Sequence, residues 1–187
     1  IASRFVILSK QVSTGHAFCL ILRLSGTGIS SMINAGLLPV LTRKDGYNDI
    51  GVESFTCIDF ADISHQRLFV DLASAMLDWD VNEQPVFTGM SADKLAKQLQ
   101  SDHKASIEQC VNALKQTQQG YSKPRFLLFI DRLEVLLSSA VFSDDERDAF
   151  LGVIDKLAAR GAIIVVSACR NDFYSLVVNY PSLMVNK

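Results

Sequence analysis

Cysteine, histidine and proline are scarce in this 187-residue chain, and each scarcity removes a class of protein. The four cysteines are Cys19, Cys57, Cys110 and Cys169. None forms a C-x-x-C pair, and three lie in or at the end of apolar, strand-like runs, where cysteine behaves as a small hydrophobe. That argues against a disulfide framework and for a reducing, cytoplasmic setting. His16, His65 and His103 lack metal-ligand spacing, which argues against zinc. No His is placed beside a Ser or Cys in a way that favours a nucleophilic triad. Net charge is only −2, so no basic excess calls for nucleic acid. No apolar run is long enough to span a bilayer, and no basic-then-apolar signal segment opens the chain. Internal repeats and low-complexity stretches are absent too.

What is present is apolar. Hydrophobic residues make up 49% and charged residues 20%, the balance of a packed globular core rather than a disordered chain. The length suits one domain over 1–187. Because the chain opens on Ile1 and patterned sequence reaches both ends, we expect a piece of a longer, multidomain protein.

Short apolar runs read as buried strands at Phe18–Leu22, Val52–Phe60, Phe126–Ile130 and Ala162–Val166. Helical spacing appears weakly over 3–12 and again over 31–38, where Pro39 is expected to stop it. It returns over 68–76 and over 144–159, the last opening on a Ser143/Glu146 capping box. The polar stretch 91–118 reads as two helices meeting near Ser101-Asp102, an insertion or lid. Trp79 and the four methionines read as packing residues. Strands alternating with helices predict an α/β fold: a mainly parallel sheet between two helical layers, a three-layer αβα sandwich. Ligands of such sheets bind at the carboxyl ends of the strands.

Three sites follow those ends. After the first strand comes Arg23-Leu24-Ser25-Gly26-Thr27-Gly28-Ile29-Ser30-Ser31. The phosphate-loop pattern is G-x-x-x-x-G-K-[ST]. Gly28 and Ser30 match it, but Arg23 stands at the first Gly and Ile29 at the Lys. Glycines let backbone approach an anion, and the following helix start aims free N–H groups at it. A plain strand-to-helix turn also favours Gly and Ser. After the third strand comes Asp131, an apolar run ending in a carboxylate, as in a Walker B box that holds Mg²⁺. Glu134 is spaced to orient or deprotonate a water. The alternative is a helix N-cap and a solvated Glu. After the fourth comes Arg170, either a bidentate γ-phosphate sensor or an ion-pair partner of Asp172 or Asp131. Arg132 and Arg160 read as solvated charge.

Three segments resemble one family. Ser25-Gly26-Thr27-Gly28-Ile29-Ser30-Ser31, continuing through Ala35-Gly36-Leu37-Leu38-Pro39, resembles the phosphate loop of bacterial novel STAND NTPases, G-x-S-G-S-G-K-S-S-L-x-x-A-G-L-L-P. Leu127-Leu128-Phe129-Ile130-Asp131-Arg132-Leu133-Glu134 resembles their Walker B box. Cys169-Arg170-Asn171-Asp172-Phe173-Tyr174 with Tyr180-Pro181-Ser182-Leu183 resembles their L-R-x-D-F-Y…Y-P-x-L segment. The resemblance implies an AAA-like P-loop core that binds ATP with Mg²⁺ and acts as a regulatory switch in signal transduction. It implies flanking sensor and effector domains and oligomerisation, with no nucleic-acid or membrane partner for this domain. Residues 25–31 would cradle phosphate, Ser30 and Asp131 would hold Mg²⁺, and Asp131, Glu134 and Arg170 would carry any catalysis. Ile29 departs from the pattern. A charge-assisted hydrogen bond contributes roughly 1.5–3 kcal/mol, so its loss weakens phosphate binding about tenfold to over a hundredfold. Two readings stay open at this point: a nucleotide-binding switch with weak or absent hydrolysis, and a nucleotide-free scaffold acting as an interaction module.

Overall fold

In a computed structural model the chain is described over residues 16–24, 28–43, 46–47, 50–61, 63, 67–118 and 122–183. The helical pattern expected over 3–12, and Ser25, Gly26 and Thr27 of the loop, lie outside the described residues. Four strands form one parallel sheet: β1 (Phe18–Arg23), β2 (Ile50–Asp59), β5 (Lys123–Asp131) and β6 (Ile163–Arg170). Their spatial order is β1-β6-β5-β2, with the small hairpin β3 (Asp80–Val81) and β4 (Gln84–Pro85) apart from it.

The apolar runs of β5 and β6 are continuous because both faces of the sheet are covered there, whereas the edge strand β2 leaves Phe55 and Cys57 exposed. Alternate residues of β5 point to opposite cores. Phe126, Leu128 and Ile130 pack with α3 (Leu68–Leu77), α4 (Ala92–Ser101), α5 (His103–Leu114), α6 (Leu133–Ser138) and α7 (Asp144–Ala158). Leu127 and Phe129 face the other way, toward Ile33, Leu37, Leu38 and Leu41 of the segment after β1. The same alternation divides Ile163 and Val165 from Ile164 and Val166 in β6. A strand with period two and no polar face can exist only between two layers, so the αβα sandwich follows from this pattern. Trp79 is fully buried and stacks on Phe126, with centroids 4.9 Å apart.

The helices start where their caps are. Ser143 accepts from the Glu146 N–H while Glu146 accepts from the Ser143 N–H, a complete capping box for α7. Ser91 and Asp102 cap α4 and α5 more simply, their side chains accepting from the Lys94 and Ala105 N–H groups. The helical pair expected over 91–118 is therefore present, broken at Asp102. It places Leu95, Leu99, Ile107 and Cys110 in the main core.

One expectation fails. Pro39 does not stop the helix after β1. Helix α1 (Ile29–Met32) widens into a π-helical turn over Ile33–Leu37 and resumes as α2 (Leu38–Leu41). The Leu38 N–H reaches back to the Ile33 carbonyl, one residue farther than in an α-helix. The wide turn removes the clash a proline ring makes with the carbonyl four residues before it, and Pro39 falls in the first turn of α2, where a missing N–H costs little.

Candidate functional site

The carboxyl edge of the sheet gathers charges that the sequence scatters from Arg23 to Arg170. In parallel register Arg23 pairs with Arg170 at the ends of β1 and β6, and Asp59 pairs with Asp131 at the ends of β2 and β5. Read in spatial order, the edge runs Arg, Arg, Asp, Asp. Like charges side by side are unfavourable, so each half needs a counter-charge from outside the sheet. Both counter-charges come from the turn after β5.

Glu134, in the first turn of α6, neutralises the basic half. Its Oε1 accepts from the Arg23 guanidinium at 3.1 Å, and its Oε2 accepts from the backbone N–H of Arg170 at 3.1 Å. Glu134 is buried, 5% exposed. Arg132 neutralises the acidic half. Its guanidinium grips both carboxylate oxygens of Asp59 through Nε and a terminal nitrogen. Burial of Asp59 works to raise its pKa, but the Arg132 fork and the Ala61 N–H outweigh it and hold the carboxyl below its ordinary value. Arg132 adopts a left-handed φ of 54°, which turns strand directly into helix. In an L-residue that backbone costs on the order of 1 kcal/mol.

Asp131 is buried, and its Oδ1 accepts from the Arg132 N–H at 2.8 Å. It does not cap α6: the N-cap position belongs to Arg132. Arg170 pairs with Asp172 and lies over the Phe173 ring, 5.4 Å from its centroid. Its Nε, like that of Arg23, is buried with no hydrogen-bond partner. Cys169, buried next to Arg170, has its thiol pushed up to about 11, by burial first and then by the Glu134 carboxylate.

On the loop side, Gly28 has φ +61°, and its carbonyl accepts from the Met32 N–H at 2.9 Å, starting α1. A Cβ added there meets no atom within 4 Å, so glycine is needed for the backbone conformation, not for space. Ile29, Ser30 and Ser31 form the first turn of α1.

Asp131, Glu134 and Arg170 thus share one sheet edge with Gly28 and the start of α1. Two contacts were not legible in the sequence: the Arg23–Glu134 pair and the Asp59–Arg132 fork. The second strand was read as running to Phe60, and it is the structure that ends it at Asp59, beside Asp131. Among the described residues no group of three or more His, Cys, Asp or Glu is placed to hold a metal by itself. The two unpartnered guanidinium nitrogens are donors of the kind a phosphate accepts from.

Solved structures share this architecture at low identity. A chain of Drosophila ORC bound to DNA matches with a TM-score of 0.55 and 13% identity, over 91% of this chain and 37% of that one. A Walker-type ATPase of Pyrococcus abyssi matches with a TM-score of 0.51 and 12% identity, over 87% of this chain and 43% of that one. This chain therefore spans less than half the length of either. No curated protein sequence matches. No helix among the described residues is long and apolar enough to cross a membrane. The family model described as Novel STAND NTPase 1 matches residues 5–186, nearly the whole chain, and the chain belongs to that family of P-loop NTPases.

Proposed function

We propose that this chain is the ATP-binding regulatory domain of a larger signal-transduction protein, and that it hydrolyses nucleotide weakly or not at all. The backbone of residues 25–31 would cradle the phosphates. Ser30 and Asp131 would hold Mg²⁺, which when bound neutralises phosphate charge. Arg170 would read the terminal phosphate. Its present pair with Asp172 is surface-exposed and contributes about 0–1 kcal/mol, so a phosphate can displace it.

The observation that carries the reading is the state of Glu134. A general base must present a lone pair to water within hydrogen-bond reach. Here each carboxylate oxygen already accepts one hydrogen bond, from Arg23 or from the Arg170 N–H, and with Glu134 5% exposed water has little access to the remaining lone pairs. With Ile29 in place of the phosphate-gripping Lys, slow chemistry is the expected consequence. Sensor and effector flanks, a bacterial cytoplasmic setting and oligomerisation belong to the same proposal. A DNA-binding role is not part of it, since a net charge of −2 supplies no phosphate-backbone footprint.

Calorimetric titration with Mg²⁺-ATP tests the reading, alongside a phosphate-release assay. Binding heat that disappears without Mg²⁺, with no turnover above the level of an Asp131→Ala variant, is expected. No heat at millimolar nucleotide would leave the alternative, a nucleotide-free interaction scaffold. Brisk turnover abolished in Asp131→Ala would overturn the inactive-switch part.

A further inference from the structure

The opposite end of the sheet holds a second basic site. A cavity of about 480 Å³ opens between the end of α5, the start of β5 and the turn into β6. Its described lining residues include Lys115, Arg125 and Arg160 and no carboxylate. Val111, Leu114 and Ala162 give it an apolar wall. A volume of roughly 300–1,000 Å³ is that of small-molecule sites.

Arg125 is the informative residue. It is half-buried in β5, where one terminal nitrogen donates to the Pro124 carbonyl at 2.7 Å. Its Nε is fully buried and has no hydrogen-bond partner. An unpaired guanidinium N–H away from water costs about 1–3 kcal/mol, more because the group is charged. Burial also lowers its pKa. Nothing in the described lining compensates. Lys115 donates to Asn112, a neutral partner. Glu53, the carboxylate that touches a lining side chain, accepts from the Thr117 hydroxyl. Lys115, Arg125 and Arg160 thus bring three cations to one apolar wall, with no carboxylate among the described lining residues.

We infer that this cavity binds a small organic oxyanion, a phosphate ester or carboxylate with an apolar body, distinct from the nucleotide site. Arg125 supplies the half-buried guanidinium charge, Lys115 and Arg160 the rim charge, and Val111, Leu114 and Ala162 the surface for the body. The site is remote from the carboxyl edge. Arg125 and Asp131 stand six residues apart along β5, about 20 Å at ~3.3 Å per residue.

Amide NMR titration with phenyl phosphate and, separately, benzoate tests this, since both carry a ring and differ in the anion. Shifts over 111–117, 125–126 and 160–162 are expected from at least one probe, and the stronger binder names the anion. A Lys115→Glu/Arg160→Glu variant changes only exposed side chains and should weaken binding at least tenfold with its thermal midpoint unchanged. Arg125→Gln should do the same, provided its spectrum stays dispersed. Shifts confined to 28–32 would place the anion at the phosphate loop and overturn the inference. So would no shifts with either probe at millimolar concentration, or binding that survives the rim variant.

Discussion

Replacing Arg23 by Met removes the cation that faces Glu134 and keeps most of the side-chain volume. The two side chains are 15% and 7% exposed, so the pair is close to buried. At 3.1 Å and an effective dielectric near 20, their gross attraction is about 5 kcal/mol. Much of that offsets the loss of hydration of the two ions. Removing one partner leaves the other charge stranded, which typically costs about 3–5 kcal/mol. Arg23→Met should fall at the lower end, about 3 kcal/mol, because the Arg170 N–H still donates to Glu134. Glu134→Gln should cost less, about 1–2 kcal/mol: the amide oxygen can still accept from that N–H, and Arg23 can turn toward water. The double variant leaves no ion behind. Its cost should undercut the sum of the singles by at least about 1.5 kcal/mol. Urea unfolding followed by Trp79 fluorescence measures all four proteins, since the chain has one tryptophan and it is fully buried. If the two costs add within about 0.5 kcal/mol, the residues do not act as a pair, and the account of a restrained Glu134 fails.

Three further outcomes are expected. Ser143→Ala should lower stability by about 1 kcal/mol, read by the same unfolding assay, because the capping box of α7 loses its side-chain acceptor. Asp59→Asn should be destabilising near neutral pH and progressively less so, relative to the unsubstituted protein, as the pH falls below about 4. The sign follows from a folded-state pKa held below the unfolded one: the stabilisation is whole above the unfolded value and is lost as the folded carboxylate takes up its proton. Thermal melts at neutral and acidic pH check it, and an unchanged difference would contradict the Arg132 fork. Cys169 and Cys110 should resist iodoacetamide in the native protein and label only in denaturant, as peptide mass spectrometry would show, because both are buried and burial raises both thiols.

The layout of the fold was largely legible, for a physical reason. The continuous apolar runs at Phe126–Ile130 and Ala162–Val166 admit only strands buried on both sides, and the helices between the strands favour parallel pairing. The sheet β1-β6-β5-β2 obeys both requirements. Caps such as Ser143 were readable because they are local. The passage of a helix through Pro39 was not, because it depends on a π-helical turn set by how Ile33, Leu37 and Leu38 pack on the sheet. Arg132 was misread as solvated charge for the same kind of reason: its partner, Asp59, lies 73 positions away.

Sequence alone determined that Asp131, Glu134 and Arg170 follow strand ends, and that Ile29 stands where a phosphate-gripping Lys belongs. Strand ends collect along one edge whatever the details of packing, so that much needed no coordinates. Tertiary structure decided what those residues touch. It set Arg23 beside Arg170 and Asp59 beside Asp131, and it assigned Glu134 to the first pair and Arg132 to the second. Lateral strand order is set by long-range packing, and no local pattern encodes which charge meets which.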